Sequence, residues 1–260
     1  MHRLGSTRTI SRLSAALVAI GLLFPAAAMP VAAAHPSDLL PDLQMAPLFG
    51  VALQAKHGEL RLRFGTLVNN VGDGPLIVRG RRPMNGKMKR VSQLIRQTDN
   101  TIRSVAQPDA TMYFEPVGVH DHWHLRDFIT MRLTALGSTT APDRLSTKIG
   151  FCFYDTTQLP PDERPPNAAP MTFTGCGTQS SRRVRMGISV GWGDAYLPSY
   201  QFQAIDVTGT PPGKYRLCAT VNPQNVWLEK SDANNSYWMD LRIRPSKKTV
   251  TILAEGATPC

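Results

Sequence analysis

Three histidines alternate with other residues in the short segment His120-Asp121-His122-Trp123-His124. Successive side chains of a β-strand point to opposite faces, so the three imidazoles are predicted to stand in a row on one face. Neutral imidazole nitrogens at this spacing suit copper, zinc, nickel or iron. The segment therefore predicts a metal site on a strand, with His120, His122 and His124 as its ligands.

The elements that must position this strand are short β-runs broken by Gly, Pro and Asn. The histidine strand itself is expected to bury its opposite face, formed by Val119, Trp123 and Leu125. Many short strands without a heptad pattern predict an all-β fold, an antiparallel β-sandwich with long loops and few short helices. Segment 157–177, rich in proline and polar residues, is predicted to be the longest loop. The clearest predicted strands cover residues 60–64, 76–78, 129–133, 148–153, 204–207, 215–221, 237–243 and 250–253.

The predicted strand over residues 148–153 has its own alternation. Ile149, Phe151 and Phe153 share one face, whereas Lys148 and Cys152 lie on the other face.

The beginning of the chain has the features of a signal peptide. An arginine-containing start precedes an apolar run over residues 13–24, and three alanines before His35 offer a cleavage site. The run is too short to span a bilayer comfortably, and nothing later resembles a transmembrane helix. We expect residues 1–34 to be removed on export and residues 35–260 to form one domain without a membrane span.

Four cysteines in an exported chain favour two disulfides. Three pairings of Cys152, Cys176, Cys218 and Cys260 are open. The first choice is Cys152 with Cys176, because a bridge between them would pin the proline-rich loop.

The formal net charge of +10 indicates long-range attraction for nucleic acid, anionic cell-wall polymer or acidic polypeptide. A solvated face is the more common meaning of basic clusters. No zinc finger, aromatic RNA-binding signature or helix-turn-helix spacing accompanies them, so no nucleic-acid partner is expected. The clustered basic residues are Arg79, Arg81, Arg82, Lys87, Lys89, Arg90, Arg182, Arg183 and Arg185.

Four separated segments share their order and residue types with one protein family. They are residues 120–124 (H-x-H-x-H), 148–156 (K-x-x-F-C…D-T), 187–196 (G-I-S-x-G…D-x-Y) and 205–223 (I-D-V-T…P-G-x-Y…V-N-P). Together they resemble the lysyl oxidase family, copper-dependent amine oxidases with a protein-derived quinone. The resemblance extends over residues 40–245.

In that family a lysine amine adds to an oxidised tyrosine ring and gives lysine tyrosylquinone. The resemblance implies that Lys148 and Tyr196 are the precursors here, with copper at the three histidines and O₂ driving the oxidation. The quinone then converts primary amines, either small amines or lysine side chains of proteins, to aldehydes with release of ammonia and hydrogen peroxide. A general base must remove a substrate proton, and Asp194 and Asp127 are both candidates. Asp127 would otherwise orient a metal-binding imidazole.

The resemblance also implies a second metal. Some relatives bind calcium through an early Asp-Leu pair and a late acidic-Asn-Asn cluster, which supply the oxygen ligands that a hard cation takes. This chain places the late aspartate one residue further on, so either Asp232 or Ser231 fills that position. The candidate calcium ligands are Asp42, Leu43, Glu229, Asp232, Asn234 and Asn235.

Two other classes of protein stay open. A non-catalytic, metal-binding β-sandwich that mediates surface adhesion would keep the histidines but have no use for Lys148 or Tyr196. A zinc hydrolase would use three histidines and an open position, although the chain has no H-E-x-x-H helix. The leading prediction is a copper amine oxidase that is secreted or lies in the cell envelope.

Overall fold

The computed structural model describes residues 33–83, 88, 90–116, 121–138, 140–257 and 260. Within these residues the one helical element is the short 3₁₀ turn Pro245–Lys247, and the other regular elements are β-strands. The all-β prediction is therefore confirmed. The strands are β1 (Asp38–Leu39), β2 (Leu43–Met45), β3 (Phe49–Lys56), β4 (Glu59–Asn70), β5 (Leu76–Arg81), β6 (Arg90–Gln97), β7 (Ile102–Gln107), β8 (Met112–Glu115), β9 (His122–Arg126), β10 (Ile129–Ala135), β11 (Arg144–Leu145), β12 (Gly150–Phe151), β13 (Thr157–Gln158), β14 (Arg183–Ile188), β15 (Trp192–Tyr196), β16 (Ala204–Asp206), β17 (Gly213–Val221), β18 (Ser236–Arg244) and β19 (Thr249–Gly256).

These strands pair antiparallel in four sheets. One sheet has the order β1-β6-β5-β14, with β7 also on β6, and a second has the order β11-β10-β17-β18-β19. A third has the order β13-β15-β4-β16, with β2 and β3 also on β4. The small sheet β12-β9-β8 carries the histidine strand, so its position relative to the third sheet decides the geometry of the site.

All four sheets contribute to one hydrophobic core. Phe64 of β4, Phe151 of β12, Met186 of β14 and Leu217 of β17 are each fully buried within it. Burying a side chain of this size stabilises the fold by about 1.5–3 kcal/mol. Because several antiparallel sheets share this core, the predicted antiparallel β-sandwich class is confirmed.

Most predicted strands lie inside observed ones, but the segment 148–153 does not. Only Gly150 and Phe151 pair with β9, so the period-two alternation does not extend to the residues before them. Ile149 is 38% exposed and Lys148 is 7% exposed. The predicted strand over residues 148–153 is therefore wrong except at Gly150 and Phe151, and Lys148 is buried whereas Ile149 is exposed.

Two disulfides are present, as predicted. Cys152 pairs with Cys176, with their Cα atoms 5.8 Å apart, and Cys218 pairs with Cys260. The first bridge closes the predicted loop, in which only Thr157–Gln158 forms a strand.

Asp155 anchors this loop from inside the protein. It is 3% exposed, and its Oδ2 accepts hydrogen bonds from the backbone N–H groups of Thr172 and Phe173 at 2.8 and 3.0 Å. Its two oxygens also accept from the backbone N–H and the hydroxyl of Ser189, each at 2.8 Å. One buried carboxylate thus joins the loop to the segment that follows β14.

The Asp155→Ala variant is expected to lose about 3–5 kcal/mol of unfolding free energy, because it leaves buried N–H donors without an acceptor. Urea denaturation of the oxidised protein measures this loss. The control is Asp162→Ala at an exposed position of the same loop, which should change stability by less than about 0.5 kcal/mol. Equal unfolding free energies of the two variants in urea would show that Asp155 does not anchor the loop.

Candidate functional site

The histidine strand β9 presents two imidazoles on one face. His124 is 3% exposed and His122 is half-buried, and their ring centroids lie 4.5 Å apart. Trp123 and Leu125 are buried on the opposite face, where the Trp123 indole N–H donates to the Thr178 carbonyl at 2.8 Å. The predicted alternation holds over these four residues. His120 and Val119 lie outside the described residues.

Tyr113 supports His124 from the neighbouring strand β8. The two residues are register partners, and their rings stack with centroids 5.5 Å apart. Gly150 leaves room for this pair, since a Cβ atom there would lie 2.1 Å from the Tyr113 hydroxyl and 2.9 Å from the His124 Cβ. Any larger residue at position 150 would displace the stacked rings. The close packing of Tyr113 and His124 therefore requires glycine at this position.

Lys148 and Tyr196 meet inside the protein although 48 positions separate them in the chain. The Lys148 Nζ lies 4.6 Å from the centroid of the Tyr196 ring. The Tyr196 hydroxyl donates to the Cys152 carbonyl at 3.0 Å, and the Phe151 ring packs against Tyr196 edge-on. The phenol is therefore held in place by two residues that follow Lys148 in the same segment.

Thr156 positions the strand β15 that carries the tyrosine. Its hydroxyl donates to the Gly193 carbonyl at 3.1 Å and accepts from the Ala195 N–H at 2.7 Å. Together with Asp155, this explains the Asp-Thr pair of the second sequence segment in physical terms. The pair fixes the scaffold around Lys148 and Tyr196.

Asp194 is the acidic neighbour of this pair. It is 1% exposed, and its Oδ2 has no hydrogen-bond partner among the described residues. Burial raises the pKa of Asp194 well above its usual value. Burial also lowers the pKa of Lys148 to about 8, although the nearby Asp194 opposes that shift. The pKa of Tyr196 is raised by burial and further by the Asp194 charge. Such opposed shifts in one cleft are typical of reactive sites.

A cavity of about 380 Å³ joins the histidine pair to the lysine and the tyrosine. Its size is that of a small-molecule site. It is lined by His122, His124, Lys148, Cys152, Tyr154, Asp194, Ala195, Tyr196, Ser199, Tyr200 and Gln201. The structure thus brings together five of the predicted site residues, namely His122, His124, Lys148, Asp194 and Tyr196. Asp127 is not among them, because it is exposed at the turn after β9 and lines a different cavity with Trp227.

Comparison of the sequence with models of known protein families shows which family the chain belongs to. The family model described as lysyl oxidase matches residues 81–252, which is more than half of the chain. The chain belongs to the lysyl oxidase family. No curated protein matches the sequence. Membership in the lysyl oxidase family implies amine oxidase chemistry, and the matched range includes every residue of the cavity.

The residues that resemble the calcium site of some lysyl oxidases also lie together. The Asn234 amide donates to Asp42 at 2.8 Å, and the Leu43 N–H donates to Glu229 at 3.0 Å. Glu229 also accepts from Asn235 at 2.8 Å, and burial raises the pKa of Glu229 to about 8. The Asp232 carboxylate is 3.5 Å from the Asn235 amide, and the Ser231 hydroxyl accepts from the Ala233 N–H. The buried Oδ1 atoms of Asn234 and Asn235 have no hydrogen-bond partner among the described residues, so the cluster keeps side-chain oxygens of the kind that a hard cation takes, and calcium binding stays a prediction.

No group of three or more His, Cys, Asp and Glu side chains in the described ranges is arranged to hold a metal. Only two of the three histidines, His122 and His124, lie in those ranges, because His120 is outside them. In the same part of the chain, no helix has the length and apolar character needed to cross a membrane.

Sequence reasoning missed Tyr113, Tyr154 and Tyr200. Tyr113 carries a weak signal, since it precedes the histidines in a short run of β-forming residues. Tyr154 and Tyr200 reach the cavity through the fold alone, and nothing in their local sequence marks them.

Proposed function

We propose that this protein is a copper-dependent amine oxidase that converts primary amines to aldehydes with a quinone built from Lys148 and Tyr196. The observation that carries the proposal is the placement of the Lys148 amine 4.6 Å from the centroid of the Tyr196 ring, in the cavity that His122 and His124 also line. A merely structural lysine has no reason to lie buried over a buried phenol, because desolvating an ammonium group is costly.

The residues near the metal strand fit copper by the chemistry of their donors. His122 and His124 would hold it with imidazole nitrogens, and His120 would be the third ligand. When bound, copper and the quinone would supply the oxidation of the phenol and of the amine substrate by O₂.

The chain itself would prepare the two precursors. Burial lowers the pKa of Lys148 to about 8, so a substantial fraction of its amine is neutral and nucleophilic near neutral pH. The Cys152 carbonyl holds the Tyr196 hydroxyl and thereby orients the ring edge. Asp194, buried beside both groups, would accept the proton that the amine or a substrate releases.

The same cavity would admit the substrate. Tyr154 and Tyr200 provide aromatic surface along its lining. A linear primary amine, either a small molecule or the side chain of a peptide lysine, suits a cavity of about 380 Å³. O₂ and water are the other substrates, water supplying the aldehyde oxygen, and the aldehyde, ammonia and hydrogen peroxide would leave.

We further propose export, with residues 1–34 as the signal peptide and residues 35–260 as the mature domain. The two disulfides support an oxidising compartment such as the extracellular space or the cell envelope. The proposed signal peptide lies almost wholly outside the described residues.

Peptide mass spectrometry tests the proposal. Protein loaded with copper and exposed to air should yield a peptide pair joined through Lys148 and Tyr196, together with quinone staining. Protein kept with a chelator and without oxygen should yield the two separate peptides. An unjoined pair in aerated, copper-loaded protein would contradict the oxidase proposal and favour a metal-binding adhesion protein. Peroxide release with a panel of primary amines then compares small amines with lysine peptides.

A further inference from the structure

A basic surface lies on the sheet β1-β6-β5-β14, and the cavity beside it shares no lining residue with the cavity of the candidate site. Strand pairing places Arg183, Arg81 and Arg90 side by side across β14, β5 and β6. Two residues further along, Arg185 and Arg79 form a second row. Side chains two residues apart share a face of a sheet, so these five arginines form one patch, here called the arginine face.

The first row borders a concave space. A cavity of about 600 Å³ is lined by Arg81, Arg82, Pro83, Arg90, Arg182 and Arg183. Arg82 is held in position, since its Nε donates to the Ser181 carbonyl at 2.8 Å and its guanidinium lies 5.1 Å from the centroid of the Trp123 ring. The other arginines of the cavity are exposed.

This arrangement is unfavourable within the chain alone. Like charges directly opposite each other in a sheet destabilise it. No ion pair in the described ranges involves Arg81, Arg90 or Arg183, and the undescribed residues 84–87 and 89 contain no Asp or Glu. The mutual repulsion is visible at Arg79, whose pKa is lowered by burial first and then by Arg81 and Arg183. Water or an anion from outside the chain therefore compensates this charge.

We propose that the arginine face binds a polymer with repeated phosphate groups and no bases. Guanidinium groups match phosphate oxygens with paired N–H donors, and a phosphate accepts from several arginines at once. Neighbouring strands are about 4.8 Å apart, and side chains on one face are about 6.8 Å apart along a strand. The arginine face therefore offers positive charge at intervals that suit a chain of closely spaced phosphates.

Two other polyanions fit less well. Single-stranded nucleic acid is bound through aromatic side chains on which bases stack, yet the described lining of the cavity consists of arginines and one proline. An acidic peptide carries each carboxylate on a separate side chain, and only every second side chain of an extended peptide lies on one face, so it brings fewer anionic groups per length of backbone to the arginine face than a phosphate polymer does. These two ligands serve as comparisons in the test.

The probe is inorganic polyphosphate, titrated into the full mature protein at several salt concentrations. We expect the logarithm of the association constant to fall linearly with the logarithm of the salt concentration. The double variant Arg81→Gln/Arg183→Gln should bind about 10-fold or more weakly, and its salt slope should be smaller by about two. Without ligand, this variant should be at least as stable as the original protein, because it removes a like-charge contact.

The matched control is Arg242→Gln/Arg244→Gln, which removes two exposed arginines from β18 and the same net charge. It should bind polyphosphate nearly as the original protein does. Equal weakening by both double variants would reduce the effect to net charge and overturn the proposal. Tighter binding of polyglutamate or of single-stranded DNA at matched charge and salt would overturn the choice of phosphate polymer. Peroxide release from a small amine is a separate readout that neither double variant should change, so failure of this proposal is distinguishable from failure of the oxidase proposal.

Discussion

Replacing Lys148 by arginine is expected to lower kcat/KM for amine oxidation by about 1,000-fold or more, to the level of the uncatalysed reaction. Arginine keeps the positive charge but is not deprotonated in proteins, so it offers no neutral amine to the Tyr196 ring. The crosslinked peptide should be absent from this variant for the same reason. Its copper content should stay that of the original protein, because Lys148 is not a proposed ligand.

Peroxide release and peptide mass are measured on the same preparations. Lys148→Met is the second variant, since it fills the buried position without a charge and separates loss of chemistry from loss of folding. The control is Lys214→Arg at an exposed position of β17, which should keep full activity. Oxidase activity in folded Lys148→Met protein would show that the cofactor does not require this lysine.

The pH dependence of crosslinking follows from the lowered pKa of Lys148. The reactive form is the neutral amine, so the rate of crosslinking should rise as pH increases through about 8 and then level off. A surface lysine with an ordinary pKa would still be rising at pH 10. Stopping copper-loaded samples at set times across this range gives the profile by mass.

Local periodicity predicted part of the site well. The alternation of His122, Trp123, His124 and Leu125 needs only the two-residue repeat of a strand, which every extended chain shares. The Cys152–Cys176 bridge was also predictable, because both cysteines flank one loop. These features depend on residues close together in the chain.

The rest depends on pairings between distant segments. Lys148 is buried because regular pairing with β9 includes only Gly150 and Phe151, and a strand of two residues leaves no repeat to detect. The stack of Tyr113 on His124 requires the register of β8 against β9. Asp155 lay in a segment that resembled the lysyl oxidase family, but its anchoring contacts reach across to Ser189.

The general base could not be chosen from the sequence either, because that choice also depends on pairings between distant segments. Asp127 and Asp194 were both candidates in the sequence, since each lies within three residues of a proposed site residue. The fold separates them: Asp194 lines the cavity and is buried, whereas Asp127 is exposed and lines another cavity. The pairing of β15 with β4 places Asp194 in the cavity, and no pattern in the nearby sequence indicates this pairing.

The Asp194→Asn variant is expected to lose about 100- to 10,000-fold in kcat/KM, the usual contribution of a general base. Asparagine has nearly the same shape but does not accept a proton. Because it removes the acidic neighbour of the buried Lys148 amine, the unfolding free energy should fall by about 3–5 kcal/mol, so activity is compared on protein shown to be folded. The crosslinked peptide should still form, although more slowly, which separates a role in turnover from a role in making the cofactor.

The pH profile gives a second test of Asp194. A base acts in its ionised form, and burial raises the pKa of Asp194, so the activity of the original protein should fall as pH decreases through that raised pKa. This acid limb should be missing from the residual activity of Asp194→Asn. The matched control is Asp127→Asn, where asparagine tolerates the positive φ of 57° and should leave kcat/KM within about twofold. A large loss in Asp127→Asn with little loss in Asp194→Asn would transfer the role of base to Asp127 and require the substrate to approach from the exposed turn after β9.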